Sequence, residues 1–406
     1  MLATRATDIL KRQSTALMMA LGHGATHWIL ATVYVILPFL GQDLGLSFAQ
    51  IGSLISLFHA ASFVANAGSG AVVDITGRYL TAACLSLVFG AAALVAFGLA
   101  GNIMVLVAAI VVIGVTNNLW HPAAISLLSH TYPAARGLAL SVHTLGATMG
   151  DILAPVCAGA LMLTMTWQAT AVLNAVPVFL VAAIIAVLGR NLATNGGDAR
   201  PRLSKDLSYL GALRGLASNR AVVLLCSMAG FRSMTQNGLL LFLPLYLVNE
   251  LQAGPLLVGT AMTGIQAGAI VSGPIAGAVS DRVGRKPVVL IGLAATAIVL
   301  GAMNAIVQVE TFIALACALG LVMFAVRPVI HGWVLDLASD RLSGSVVSLL
   351  FATQSAFTML VPLVGGLVAD HWGLATTFYL MTATIVIAVV MAAAVPDRHL
   401  VEDHGS

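Results

Sequence analysis

Residues 190–220 read RNLATNGGDARPRLSKDLSYLGALRGLASNR. This is the one long polar run inside the chain. It holds Arg190, Asp198, Arg200, Arg202, Lys205, Asp206, Arg214 and Arg220, 8 of the 33 charged residues (18 basic, 15 acidic). On either side the sequence is almost wholly apolar. The chain therefore divides into an N-terminal half, 1–189, a linker, 190–220, and a C-terminal half, 221–406.

Of the 406 residues, 60% are hydrophobic and 8% charged. A soluble domain carries about 25% charged residues, so an ordinary globular fold is excluded. A helix needs about 20 apolar residues to cross the hydrocarbon layer. Backbone groups in lipid must be bonded within the structure, which leaves helices or closed barrels. The apolar runs here are too long for barrel strands and do not alternate. The expected fold is an all-α membrane protein with twelve transmembrane helices in two six-helix halves. The predicted spans are 16–40, 47–73, 79–99, 102–128, 136–163 and 166–189, then 221–249, 255–280, 287–307, 311–338, 343–368 and 373–395. Tilt or kinking absorbs the surplus length of several. Pro38, Pro122, Pro155, Pro244, Pro274, Pro328 and Pro362 fall inside spans, where membrane helices tolerate them.

Positive charge sets the orientation. Sixteen of the eighteen Lys and Arg lie at the termini or in loops 2–3, 4–5, 6–7, 8–9 and 10–11. The opposite loops have none and carry Asp43, Glu250, Glu310 and Asp370 instead. Both termini and the linker are therefore expected in the cytoplasm. Arg5, Lys11 and Arg12 precede an apolar stretch in the manner of a secretion signal. That stretch runs on to about Leu40, too long for a cleaved leader, and is read as the first span. The net charge of +3 is scattered along loops, which argues against a nucleic-acid partner. Cys84, Cys157, Cys226 and Cys317 sit in apolar runs without motif spacing, as buried structural thiols do. The reading is an integral protein of a bacterial inner membrane, monomeric and without a cofactor.

The halves echo each other. Asp74-Ile-Thr-Gly77-Arg78 follows the second span and Asp281-Arg-Val-Gly284-Arg285 the eighth, each with a glycine four residues earlier, Gly70 and Gly277. A separation of 207 residues between Asp74 and Asp281, about half the chain, indicates a tandem duplication of six-helix units. In such repeat architectures the solute site lies near the midplane.

Gly277-Ala-Val-Ser-Asp281-Arg282-Val-Gly284-Arg285-Lys286 resembles the loop 8–9 signature of the major facilitator superfamily. The first-half copy keeps Gly70, Asp74, Gly77 and Arg78 without the other basic residues. A closer resemblance is to the fosmidomycin-resistance branch, carried by Leu21-Gly-His23, by Leu46-Ser-Phe-Ala-Gln50-Ile51-Gly52, and by Trp120-His121-Pro122. Gly146-x-x-x-Gly150-x-x-x-Ala154-Pro155 is similar to the glycine-proline motif of proton-driven exporters. The branch has an Asn-Asp pair where Thr26 and His27 stand here, and an acidic residue where Ala123 stands. The resemblance implies a transporter working by alternating access, with export as the direction. The Asp281–Arg285 motif is expected to gate the cytoplasmic side, together with Gly70, Asp74, Gly77, Arg78, Gly277, Gly284 and Lys286. Gly146, Gly150 and Gly159, with Pro155, have a plainer role open to them, because small residues let helices pack closely.

An Arg or Asp at a helix centre costs about 2.5–3.5 kcal/mol on insertion scales, so each needs a partner or a wet cavity. Arg232 lies 11 residues into its span, Arg327 16 and Asp151 15. Two arginines cannot both be neutralised by one aspartate, which points to an anionic or zwitterionic solute. Arg232 and Gln236 are four apart, as are Arg327 and His331, and His23 and His27, with Tyr34 seven beyond His27. These residues and His121 are the candidate solute-binding set. Asp151 and His143 are the candidates for proton coupling, Asp151 also being a possible counter-ion for one arginine. An unperturbed histidine near pKa 6.5 suits proton traffic. No Walker P-loop is present to use ATP, which leaves a proton gradient as the driving force. HExxH and GxSxG are also absent, so no hydrolase is expected. Proton-coupled uptake is the rival direction. A metal-ion carrier using His23, His27, His121 and His143 is the less favoured rival class, since Arg232 and Arg327 repel a cation.

Overall fold

A computed structural model of the chain describes residues 14–189, 218–306, 308–337 and 343–396. Twelve long helices appear among them. In chain order they are α1 Ser14–Leu44, α2 Phe48–Thr76, α3 Tyr79–Gly98, α4 Ile103–Thr131, α5 Arg136–Leu161, α6 Trp167–Leu188, α7 Arg220–Asn249, α8 Pro255–Val283, α9 Arg285–Met303, α10 Val309–Asp336, α11 Ser343–Trp372 and α12 Ala375–Ala394. Each stands where a span was predicted, with ends agreeing within four residues. Eleven of the described helices are long and apolar enough to cross a membrane. Helix α7 is not among the eleven, because Arg232, Ser233, Thr235, Gln236 and Asn237 crowd its middle. The predicted linker lies outside the described residues except for positions 218–220.

Local chemistry sets the helix ends. Asn102 Oδ1 accepts from the Val105 N–H to cap α4, Thr166 Oγ1 from Ala169 to cap α6, and Asn219 Oδ1 from Ala221 and Val222 to cap α7. The two copies of the loop motif turn on glycine: Gly77 has φ +62° and Gly284 φ +95°. Any residue with a Cβ is strained there, which explains glycine at the matching place in both halves.

The chain divides by contacts into two compact units, one of Met1–Leu46, Leu54–Arg202 and Gln252–Thr263, the other of Ser47–Ser53, Leu203–Leu251 and Gly264–Ser406. Relative to the sequence-based halves, the start of α2 and the start of α8 are exchanged. Within the first unit α1 packs along α5 and α6, and α3 along α4 and α6. Within the second, α7 packs along α11 and α12, and α9 along α10 and α12. Adding six to each helix number of the first set yields the second, which is the structural form of the internal repeat.

Hydrophobic burial does not drive helices together in lipid, so close packing has to. The α1–α5 contact shows how. A Cβ on Gly146 would lie 1.9 Å from the Ala20 carbonyl oxygen, and one on Gly150 2.2 Å from that of Gly24. Backbone touches backbone here only because both positions lack side chains. Trp120 of α4, fully buried, fills the space beside Gly22, where a Cβ would meet its ring at 2.0 Å. These approaches place the polar residues of α1, α4 and α5 against one another.

Candidate functional site

Among the described residues, two clusters of polar side chains within the long helices stand out, one in each unit. The first is built on α1, where a spacing of four puts His23 and His27 on one helical face. Across from them stand His121 of α4 and His143 and Asp151 of α5. The His23 ring stacks on His143 at 4.0 Å between centroids, with planes 13° apart, and meets His27 and His121 edge-on at 4.9 and 5.0 Å. On its other side His143 lies parallel to Trp120, 6.4 Å away.

Hydrogen bonds fix the state of these rings. His23 Nδ1 is 2.9 Å from the His143 carbonyl oxygen, His121 Nδ1 2.9 Å from that of Asn117, and His143 Nδ1 3.3 Å from that of Met19. A carbonyl only accepts, so each Nδ1 carries the proton and the lone pair of the neutral ring is on Nε2. His27 Nδ1 lies 3.0 and 3.1 Å from the two carboxylate oxygens of Asp151, to which it donates. Asp151 and His27 are both partly exposed, whereas His23 and His143 are buried. The Nε2 atoms of His23 and His143 are buried without a partner. Tyr34 is buried as well, its hydroxyl unpartnered. One ring nitrogen each of His23, His27 and His121 lie within 4.8 Å of one another.

The second cluster belongs to α7 and α10. Arg232 is 2% exposed. Its Nη2 donates to Gln236 Oε1 at 2.6 Å, one turn along the same helix, and to the Met323 carbonyl at 3.3 Å, while Nε is buried without a partner. Arg327 follows Met323 by one turn of α10 and lies within electrostatic reach of both Arg232 and His331. His331 Nε2 is buried and unpartnered, and its ring meets Phe351 edge-on at 5.4 Å.

The structure brings most of the sequence candidates together in these two clusters, with pairings that the sequence did not give. Asp151, read as a possible counter-ion for an arginine, is instead bonded to His27. Arg232 is met by neutral oxygens. His59 of α2, a sixth mid-span histidine whose Nε2 is buried without a partner, escaped the sequence reading although its position within the second span was the signal.

At the loop motif, Arg285 pairs with Asp281 one turn earlier and, through Nε at 3.2 Å, with Asp336 at the end of α10. Its Nη1 also donates to Ser280 Oγ at 2.6 Å. Lys286 Nζ donates to the Val395 carbonyl at 2.8 Å. This knot ties the end of α8 to α9, α10 and the end of α12. The side chains at 70 and 74 in the first-half copy lie outside the described ones.

The sequence matches the family profile of the Major Facilitator Superfamily over residues 19–249 and again over 225–404. Over 399 residues it is 23% identical to the fosmidomycin resistance protein of Escherichia coli (strain K12), covering 94% of this chain and 92% of that one. A stretch of 117 residues is 29% identical to multidrug resistance protein MdtG of Klebsiella pneumoniae (strain 342), 29% of this chain and 28% of that protein. Among solved structures, a bacterial homolog of the human lysosomal transporter Spinster has a similar fold, with TM-score 0.77 and 17% identity over 94% of this chain and 95% of that one. The nucleoside transporter NupG is similar too, with TM-score 0.78 and 13% identity over 94% of this chain and all of that one (100%).

Proposed function

Because the chain belongs to the Major Facilitator Superfamily, whose members met here are transporters and not enzymes, we propose that this secondary transporter exports a small anionic or zwitterionic organic solute in exchange for protons. Alternating access would use all twelve helices, α7 included, with both termini in the cytoplasm. The protein would act as a monomer in a bacterial inner membrane, the two six-helix halves 1–189 and 221–406 being joined by the linker 190–220.

The observation that carries the solute class is Arg232. A charged group at the centre of a helix costs about 2.5–3.5 kcal/mol on insertion scales. An unsatisfied buried donor adds about 1–3 kcal/mol. Gln236 and the Met323 carbonyl offer Arg232 no negative charge, and Nε has no acceptor. A second guanidinium, Arg327, within reach raises the cost further. A carboxylate or phosphonate on the solute offsets all of these terms at once, through the planar fork of donors that guanidinium presents. Gln236 and His331 then complete the polar contacts. Proton coupling falls to the His27–Asp151 pair, two ionisable groups bonded to each other and both partly exposed. His143, buried and stacked on His23, holds that arrangement in place. The relative's recorded fosmidomycin resistance makes fosmidomycin the first compound to test.

The test is binding and counterflow with purified protein in liposomes, using fosmidomycin and a panel of carboxylates and phosphonates. Arg232→Lys and Arg327→Lys keep the charge but lose the fork, so each should weaken binding about tenfold or more, as expected for a lost charge-assisted bond of about 1.5–3 kcal/mol. The alanine variants should nearly abolish it. Normal binding by both alanine variants, or a cationic solute, refutes the anion reading. A proton gradient directed into the cell that drives solute uptake, rather than export, replaces exchange with symport and reverses the assigned direction.

A further inference from the structure

We infer that His23, His27 and His121 form a binding site for one late first-row divalent metal ion of the zinc class, within the first unit and apart from the arginine cluster. Three features of the geometry point there. The first is convergence: three imidazoles from two helices bring donor nitrogens within 4.8 Å of one another. A tetrahedral ion with metal–nitrogen bonds of about 2.0–2.1 Å needs its ligands about 3.4 Å apart. The longest gap therefore closes by about 1.4 Å at most, within the broad χ2 range open to histidine.

The second feature is the direction of the lone pairs. Metal-ligating histidines almost always donate the other ring N–H to a carboxylate or a backbone carbonyl, which fixes the tautomer and makes the ligating nitrogen more basic. All three rings already do so through Nδ1: His23 to the His143 carbonyl, His121 to the Asn117 carbonyl, and His27 to the Asp151 carboxylate. In these neutral rings the lone pair lies on Nε2, and the acceptors behind the rings are those of a metal site's outer shell. The third feature is His23 Nε2, which is buried on a ring 6% exposed and has no hydrogen-bond partner. Burying a polar nitrogen unpaired is costly, and a metal ion would remove that cost.

The donor set selects the ion. Imidazole suits Zn²⁺, Cu²⁺, Ni²⁺ and Co²⁺, whereas Mg²⁺ and Ca²⁺ require oxygen ligands. Three neutral imidazoles and the Asp151 carboxylate behind His27 leave a bound divalent ion with one net positive charge. Three protein ligands also leave a fourth position open, as in exchangeable rather than closed zinc sites. His27 and His121 are half-buried, so that position has a route of access. The ion would compete with protons for the same lone pairs. Occupancy would then block coupling through His27–Asp151, or make the ion itself a cargo.

The test uses full-length protein purified without a polyhistidine tag, stripped with chelator, and titrated with Zn²⁺ calorimetrically and with Co²⁺ by visible absorption. One equivalent of each should bind, Co²⁺ giving the intense bands of tetrahedral coordination, and Mg²⁺ should give no heat. His27→Ala and His121→Ala should each weaken binding at least tenfold. Asp151→Asn, which removes only the outer-shell acceptor, should weaken it about 10–100-fold while keeping one equivalent. His130→Ala and His371→Ala, which alter histidines near helix ends, should bind as wild type. Circular dichroism and elution volume confirm that each variant is folded; should an alanine variant not fold, His27→Gln or His121→Gln replaces it. No binding by the stripped wild type, or unchanged binding by the His27 and His121 variants, overturns the assignment. The titration contains no organic solute, so its failure leaves the anion reading standing.

Discussion

Replacing Gly146 or Gly150 by alanine adds one methyl group at a place with no room for it. The new Cβ would lie 1.9 Å from the Ala20 carbonyl oxygen or 2.2 Å from that of Gly24. Ordinary contact needs about 3.4 Å or more, so α1 and α5 must separate by about 1.2–1.5 Å along this seam. The obstacle is backbone, which cannot swing aside as a flexible side chain can. Overpacking typically costs about 1–3 kcal/mol, and a backbone clash belongs at the upper end, about 3 kcal/mol. The seam also carries the chemistry. His27 donates to Asp151 across it at 3.0 Å, and His23 to the His143 carbonyl at 2.9 Å. A separation of about 1.3 Å takes both beyond the 3.5 Å at which such contacts stop being hydrogen bonds.

Gly137 of the same helix is the control, because a Cβ there meets nothing within 4 Å. Alanine at that site should be neutral, or stabilising by about 0.5–1 kcal/mol through helix propensity. Thermal unfolding in detergent should therefore show Gly146→Ala and Gly150→Ala melting several degrees below wild type and Gly137→Ala at or above it. Proton-driven transport should fall in the first two variants and not in the third. Three variants with the same melting temperature and the same transport would refute the claim that these glycines set the α1–α5 distance.

The variant Asp151→Asn should abolish pH-driven transport while leaving solute exchange largely intact; a variant that still concentrates solute would move the proton to a histidine. Asp281→Ala should slow turnover with little loss of folded protein, since Asp281 is 63% exposed and such surface pairs are worth about 0–1 kcal/mol, with Asp336 still holding Arg285. Normal turnover in that variant reduces the pair to an anchor. Single cysteines near Ala199 should resist impermeant thiol reagents in intact cells and ones near Gln252 should react; the reverse pattern would invert the topology. Arg327→Lys should bind solute more weakly than wild type and more tightly than Arg327→Ala, and equal binding by the three would remove the guanidinium fork from the solute site.

Helix positions and the internal repeat were legible because they rest on signals that survive in a single sequence. Apolar runs bounded by charged loops mark each helix, and Asp74 and Asp281 mark the same point in two copies. The linker at 190–220, read from charge alone, lies outside the described residues except for positions 218–220. Facing was not legible. A soluble helix shows its inward side by hydrophobic periodicity, but a helix in lipid is apolar on the outside too, and α3 and α6 are apolar on nearly every side. Nothing in the sequence reveals which way such a helix is rotated. That is why Asp151 could be assigned to the membrane interior yet not to His27, and why His59 went unremarked beside five other histidines.

The glycines resolve part of this difficulty. Gly24, Gly146 and Gly150 lie along the α1–α5 contact and Gly22 faces α4, and a Cβ on any of them would meet a neighbouring helix at 2.8 Å or less. A helix face that cannot take a methyl group is a face pressed against a neighbour, so small residues mark inward rotation where hydropathy cannot. On α1 the same stretch that holds Gly22 and Gly24 holds His23, with His27 one turn beyond; on α5 the turn after Gly150 begins at Asp151. Close approach and polar chemistry thus coincide in sequence. A shallow seam between Leu-faced helices would leave these imidazoles and this carboxylate too far apart to bond. On α7 the glycines meet side chains instead: a Cβ on Gly230 or Gly238 would meet the Phe357 or Met381 side chain at 2.9–3.0 Å, whereas Gly320 of α10 presses on the Ile265 backbone as the α5 glycines press on α1. Small-residue substitutions in α7 should therefore be tolerated better than those in α1 and α5.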